Sequence, residues 1–249
     1  MLMLGRLPKK HNPMMLKFSD YLRANAPLPP PPAKQAWEYK IPDANWGMYK
    51  NDVCGCCTLA SKAHILMTVS ANAGNLITPT DQDVLTPYSA ISGYDPVTGA
   101  NDNGCAMTDV NEYIIKNGFA GREVLGAVEI DFTNRIEVEQ GIYLFGAVDC
   151  GVNLPQSAMD QFNAGQNWDV VPDDGGIIGG HDVPYLGIGS QGETCVTWAK
   201  REPTGIPWFA KYVEEAYCIL WKDWFNANGQ APNHLYMDAL TADLKAIAA

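Results

Sequence analysis

Basic residues are in short supply: 17 Lys and Arg stand against 28 Asp and Glu in 249 residues, a formal net charge of −11. Neutralising phosphates needs clustered Lys and Arg, so the balance argues against a nucleic-acid partner. Long apolar runs are missing as well; no stretch approaches the roughly 18 residues of a membrane span, and no membrane partner is expected. The opening residues, MLMLGRLPKKHNPMML, lack the unbroken apolar centre of a secretion signal, which predicts synthesis in the cytoplasm. Histidine is rare, with four in the chain, and the seven cysteines do not form the two Cys-x-x-Cys pairs of a structural zinc site. No metal and no cofactor is expected. What is present is ordinary globular material, 47% hydrophobic and 18% charged, long enough for one large domain or two half-domains around a shared cleft.

Charge is unevenly placed. Residues 1–50 hold Arg6, Lys9, Lys10, Lys17, Arg23, Lys34, Lys40 and Lys50 against Asp20, Glu38 and Asp43, a net of +5 that leaves −16 on the remainder. Residues 27–32 contain five prolines, which predicts a stiff polyproline stretch. Residues 1–36 therefore read as an extended basic arm that docks on an acidic surface of its own body or of a neighbouring copy, and makes protein assembly contacts. Residues 37–249 read as the domain: a helical half over about 37–133, a sheet half over about 134–225 and a C-terminal helix over about 235–248.

An odd cysteine count leaves at least one thiol unpaired within the chain. Three crowd into Cys54-Gly55-Cys56-Cys57, and helical spacing of apolar residues follows from Leu59 to Met67, with a stop at Gly74. Cys57 then starts a helix, where free N–H groups and the macrodipole stabilise an anion and lower a thiol's pKa. Gly55 lets the chain turn and a substrate approach the backbone. The bland alternative, three small buried cysteines packing a helix start, fits the same residues.

Further signals follow in order. Thr80 and Asp83 form a capping-box pattern that opens a helix through Tyr88 and Ile91. Thr108-Asp109 opens another, stopped by Asn117-Gly118, and residues 134–145 read as a third with Ile136 and Ile142 facing inward. Strand-like runs come later, at 147–154, 183–188, 194–198 and 217–220. Helices first and sheet second predict an α+β protein. A glycine-rich stretch, 175–180, leads into His181 at the start of a strand, placed to reach Cys57 from the opposite wall.

These residues resemble the papain-like cysteine peptidases. Cys54-Gly55-Cys56-Cys57 is similar to the segment that carries the catalytic cysteine at a helix start. Gly180-His181-Asp182-Val183 is similar to the strand with the catalytic histidine, and Val196-Thr197-Trp198 to the Asn-Ser-Trp strand of the third catalytic residue. Asn103-Gly104 is similar to the glycine-rich wall that aligns a substrate. From Trp37 to about Leu220 the chain also resembles papain-like proteins of bacterial and bacteriophage genomes. The resemblance implies acyl transfer, with Cys57 as nucleophile, His181 as base, Thr197 as orienting residue and Asn51 as oxyanion donor beside the Cys57 N–H. Gly55, Asn103, Gly104 and Trp198 would line the substrate. The sequence departs from the pattern at Val196, which stands at the usual Asn position, and at Thr58, which follows the nucleophile.

Two functions stay open: a hydrolase of peptide or isopeptide bonds with a peptide or protein substrate, or a weak or inactive papain-fold component of a phage particle, made in the cytoplasm and carried in the particle. In the family the cysteine matching Cys54 is bridged to one just before the glycine-rich wall. Here Cys105 follows Asn103-Gly104 instead, and the expectation is that Cys54 and Cys56 are free buried thiols.

Overall fold

Fourteen consecutive residues, Cys57 to Ser70, are buried in a single helix, α1 (Cys57–Asn72), so this helix is core on every side rather than an amphipathic surface element. The computed structural model describes residues 2–12, 16–18 and 30–234. The expected helix at 235–248 and residues 27–29 of the proline stretch lie outside these. Short strands β1 (Leu16–Lys17) and β2 (Gln35–Ala36) precede α1. Two more helices follow it, α2 (Asp81–Ser92) and α3 (Met107–Asn117). The capping box forms as read: Thr80 Oγ1 accepts from the Asp83 amide and the Asp83 carboxylate accepts from the Thr80 amide. Gly93, at φ +79°, closes α2 in the left-handed conformation.

The second half alternates strands and helices: β3 (Val124–Glu129), α4 (Arg135–Phe145), β4 (Val148–Pro155), α5 (Gln156–Ala164), β5 (Ile177–Ile188), β6 (Gly192–Thr197), β7 (Lys200–Gly205), α6 (Ile206–Tyr212) and β8 (Val213–Trp221). They form one sheet in the order β1-β3-β8-β4-β5-β6-β7, with β2 also on β5. Every pairing is antiparallel except β1 with β3. The α+β architecture agrees with expectation, with two corrections. Ile136 faces outward at 62% exposure while Ile142 is buried, because Val138, Ile142 and Phe145 set the inner stripe of α4. His181 sits within β5, not at its start: the glycines of 177–180 extend the strand because β4 continues alongside them, Asn153 opposite Gly180 and Leu154 opposite Gly179. Among the described residues no helix is long and apolar enough to cross a membrane.

Candidate active site

The axis of α1 meets the sheet at β5, and three buried charges fix that contact. Lys62 on α1 is fully buried between Asp149 of β4 and Asp182 of β5, with Nζ 3.2 Å from Asp182 Oδ2 and bonded to Asp149, which also accepts from Ser61 Oγ. A buried cation between two carboxylates locks the helix to the strand, since any other register would leave a charge unpaired in the core. Burial and the Asp149 charge push the Asp182 carboxyl well above the usual range. The consequence is a fixed spacing between the first turn of α1 and the middle of β5, which carry Cys57 and His181.

Cys57 is the first residue of α1, 1% exposed. His181 Nε2 and Thr197 Oγ1 are 2.7 Å apart, and the Trp198 ring lies over the imidazole with centroids 4.3 Å apart and planes 16° off parallel. Trp198 and Ala199 both take positive φ, +43° and +62°, forming the two-residue turn between β6 and β7. Such a turn ordinarily calls for Asn and Gly; a tryptophan there is held in an unfavourable conformation that places its ring over His181. Asn51, Cys57, Asp182, Val196, Thr197 and Trp198 line one small internal space. Val196 lends the imidazole no polar group, and the hydrogen-bond partner of the ring is Thr197.

The space is closed by the chain's own N-terminal segment. Residues 3–7 run between the helical wall and the sheet wall. The Met3 amide donates to the Asn51 carbonyl at 3.0 Å, and the Met3 carbonyl accepts from Asn51 Nδ2 at 3.2 Å and Trp198 Nε1 at 3.4 Å. The Cys105 amide donates to the Gly5 carbonyl and the Leu7 amide to the Cys105 carbonyl, each at 2.9 Å. The Arg6 amide donates to the Gly180 carbonyl at 3.0 Å, one residue before His181. Gly5 and Gly55 touch backbone to backbone, and Gly104, at φ +74°, approaches the Gly5 carbonyl just as closely; no side chain fits at either crossing.

The expected low thiol pKa is not found in this state. Burial, and then the Asp182 charge, push the Cys57 thiol up to about 12, against smaller pulls from hydrogen bonds with the Asp182 and Gly5 backbone and from the Arg6 charge. Burial, and then the Arg6 and His64 charges, bring His181 down to about 3. Helix-terminus stabilisation loses to desolvation because no water reaches the sulfur. Both groups are therefore neutral at pH 7 with the arm in place. His181 Nδ1 is buried without a hydrogen-bond partner among the described residues, so the acceptor or donor it needs is not supplied in this closed state.

The remaining expected residues divide. Asn51, Gly55, Gly104 and Trp198 all meet the arm, whereas Asn103 is exposed and its amide bonds only to the Asn101 carbonyl at 2.8 Å. Cys54 and Cys56 are buried free thiols that donate to the Lys50 and Tyr49 carbonyls, and Cys105 is likewise free. Sequence reading missed Cys105 and Gly180, whose contribution is backbone and carries no side-chain signal. It also missed Glu214-Glu215, two acids inside an apolar strand run, which was a legible signal.

No protein-family model matches the chain, and a search of curated sequences finds no match. Solved structures do. Xylellain, a cysteine protease from Xylella fastidiosa, superposes with a TM-score of 0.63 at 10% identity, over 87% of this chain and 95% of that one. The Carica candamarcensis cysteine protease CMS1MS2, solved in complex with E-64, gives 0.54 at 14% identity over 76% and 98%. Procathepsin L 3 of the Tenebrio molitor larval midgut gives 0.54 at 12% identity over 85% and 75%. The fold of this chain is that of the papain-like cysteine proteases.

Proposed function

We propose that the chain is a papain-like cysteine hydrolase of peptide or isopeptide bonds, held inactive by its own residues 3–7. The observation that carries this reading is the His181–Thr197 hydrogen bond under Trp198, with Thr197 and Trp198 lining the same small space as Cys57 and Asn51. With the arm displaced, water and substrate replace it and the Arg6 charge leaves. Burial, the first cause for both groups, then weakens, and His181 also loses the Arg6 charge, which allows a thiolate–imidazolium pair. Cys57 attacks the carbonyl, its own N–H and the Asn51 amide hold the oxyanion, and His181 gives its proton to the leaving amine. The bound arm is spared because its Gly5 backbone hydrogen-bonds to the sulfur, while the carbonyl held by Asn51 belongs to Met3, two residues away.

Labelling with iodoacetamide near neutral pH tests the reading. In Arg6→Ala, whose arm is loosened, Cys57 reacts ahead of the other six thiols, and adding His181→Ala abolishes that advantage. A Cys57 that reacts no faster than the rest supports the second reading, a papain-fold particle component without turnover, favoured by Val196 at the orienting position and by the closed thiol.

A further inference from the structure

We infer that the recess now filled by Arg6 is an arginine-selective subsite of the cleft, and that the ligands which replace the arm are peptides carrying an arginine. This deepens the proposed function and rests on the cleft being a peptide site. Arg6 Nη1 donates to Glu215 Oε1 at 2.7 Å, and Nη2 to Asn153 Oδ1 at 2.9 Å, Glu214 Oε2 at 3.0 Å and the Val152 carbonyl at 3.4 Å. Only Nε lacks a partner. The Arg6 side chain is 2% exposed and that of Glu215 not at all.

The recess is shaped for this side chain. Gly151 stands opposite Glu215 in the β4–β8 ladder, and a Cβ there would lie 2.6 Å from both Arg6 Cδ and Glu215 Cγ. The buried Glu215 carboxylate, the Asn153 amide oxygen and the Val152 carbonyl, with the half-exposed Glu214 carboxylate at the rim, match the planar fork of a guanidinium and not the point charge of a lysine. The position is also next to the chemistry, because the backbone amide of the same residue is held by the Gly180 carbonyl beside His181.

Charge gives the recess its selectivity. Apart from Arg6, the hydrogen-bond partner of Glu215 is the Tyr217 hydroxyl at 3.0 Å. When the arm leaves, the recess opens to water and Glu215 loses its counter-ion; closing the recess again over an unpaired carboxylate is strongly unfavourable. A neutral side chain entering the recess leaves that defect in place, whereas an arginine removes it. The arm's other ion pairs among the described residues, Lys9 with Glu129 and Lys10 with Asp109, are partly exposed and add little hold. Beyond its backbone hydrogen bonds, the arm thus grips through a buried side chain that an incoming arginine can replace.

The test uses the full chain with Cys57→Ala and Arg6→Ala, so that nothing is hydrolysed and the recess is vacant. Calorimetric titration compares acetyl-Leu-Gly-Arg-Leu-amide and its reversed sequence with counterparts that carry citrulline, lysine or leucine for arginine. An arginine peptide binds at least about tenfold more tightly than its citrulline counterpart, equivalent to ~1.4 kcal/mol, and Glu215→Gln removes the difference. Equal binding of the arginine and citrulline peptides, or a preference that survives Glu215→Gln, overturns the proposal. If the double variant does not fold, hydrogen exchange on the Cys57→Ala chain decides. Excess arginine peptide speeds exchange at the Arg6 and Leu7 amides while the citrulline peptide does not, and equal effects of the two overturn it. Neither measurement needs the nucleophile. A chain that binds arginine peptides but whose Arg6→Ala form, with Cys57 intact, hydrolyses none would refute the hydrolase reading alone.

Discussion

His181 Nε2 and Thr197 Oγ1 lie 2.7 Å apart beneath the Trp198 ring, which leaves Nδ1 as the free edge of a buried imidazole. The stack and the hydrogen bond fix the ring plane from two directions. A hydroxyl can accept from the imidazole N–H or donate to its lone pair, so it sets the tautomer less firmly than a side-chain amide oxygen would.

Replacing Thr197 by Val keeps the shape and removes the hydrogen bond. On the proposed mechanism, with the arm loosened by Arg6→Ala in every chain compared, kcat for peptide hydrolysis falls about five- to tenfold, the equivalent of ~1 kcal/mol for one net hydrogen bond, with KM little changed. Thr197→Ser restores the rate. A Val variant as fast as the original shows that Thr197 does not orient the base.

The histidine also sets a pH dependence. His181 is held neutral down to about 3 by burial and then by Arg6, while an unfolded histidine takes its proton near 6.5. Below ~6.5 the unfolded chain binds a proton the folded chain refuses, so this group's contribution is intact above that pH and is lost on acidification toward 3, at about 1.4 kcal/mol per pH unit. Urea midpoints of the original and of His181→Gln should converge as pH falls through this window. The imidazole C2–H resonance should not titrate above about pH 4 in the intact chain, and Arg6→Ala should move its titration upward.

Much of the frame around these residues was legible. The helix at Cys57 followed from apolar spacing and a glycine stop, and the helix after Thr80 from its reciprocal cap. Other elements carried conflicting signals. β7 (Lys200–Gly205) is a polar edge strand with Pro203 in it, which suits an unpaired edge but reads as loop. β3 is interrupted by Gly126, where its register on β8 shifts. Helix α5 begins directly after Pro155 with no linker, so the strand's end masked its start. In the site, Cys57 and His181 were singled out by their places at a helix start and after a glycine-rich run, and Asn51 by the resemblance alone. The closed state was not legible, because it depends on backbone contacts of Gly5, Cys105 and Gly180 made across the whole length of the chain.

Lys62 is predicted to be the costliest single residue to truncate. Lys62→Met leaves Asp149 and Asp182 facing each other without a cation and should lower unfolding free energy by about 3–5 kcal/mol, measured by chemical denaturation. Adding Asp149→Asn and Asp182→Asn to that variant should recover most of the loss. A triple variant no more stable than the single one would mean that the cluster contributes packing rather than charge balance.

Gly5 is the last test, and it isolates the arm from the chemistry. Its Cα side faces the Gly55 carbonyl so closely that a methyl group there would overlap the backbone, and the Gly104 backbone sits against its carbonyl. Neither wall can yield easily, since the Gly55 amide is tied to Asp102 Oδ1 at 2.9 Å and the Gly104 amide to the Tyr88 hydroxyl at 3.1 Å. Gly5→Ala therefore strains the bound arm by an overpacking cost of about 1–3 kcal/mol, and leaves every side chain of the site, Cys57, His181 and Thr197 included, unsubstituted. If the arm is what shields the sulfur, the open population rises by roughly five- to 150-fold, and iodoacetamide labelling of Cys57 accelerates by the same factor near neutral pH. Cys150, Cys195 and Cys218, buried on β4, β6 and β8, provide the internal control, whereas Cys54, Cys56 and Cys105 adjoin the arm: the three sheet thiols keep their rates if the change is local and speed up together if the whole fold has loosened. Unchanged labelling of Cys57 in a variant of normal stability would show that the arm does not control access to the sulfur.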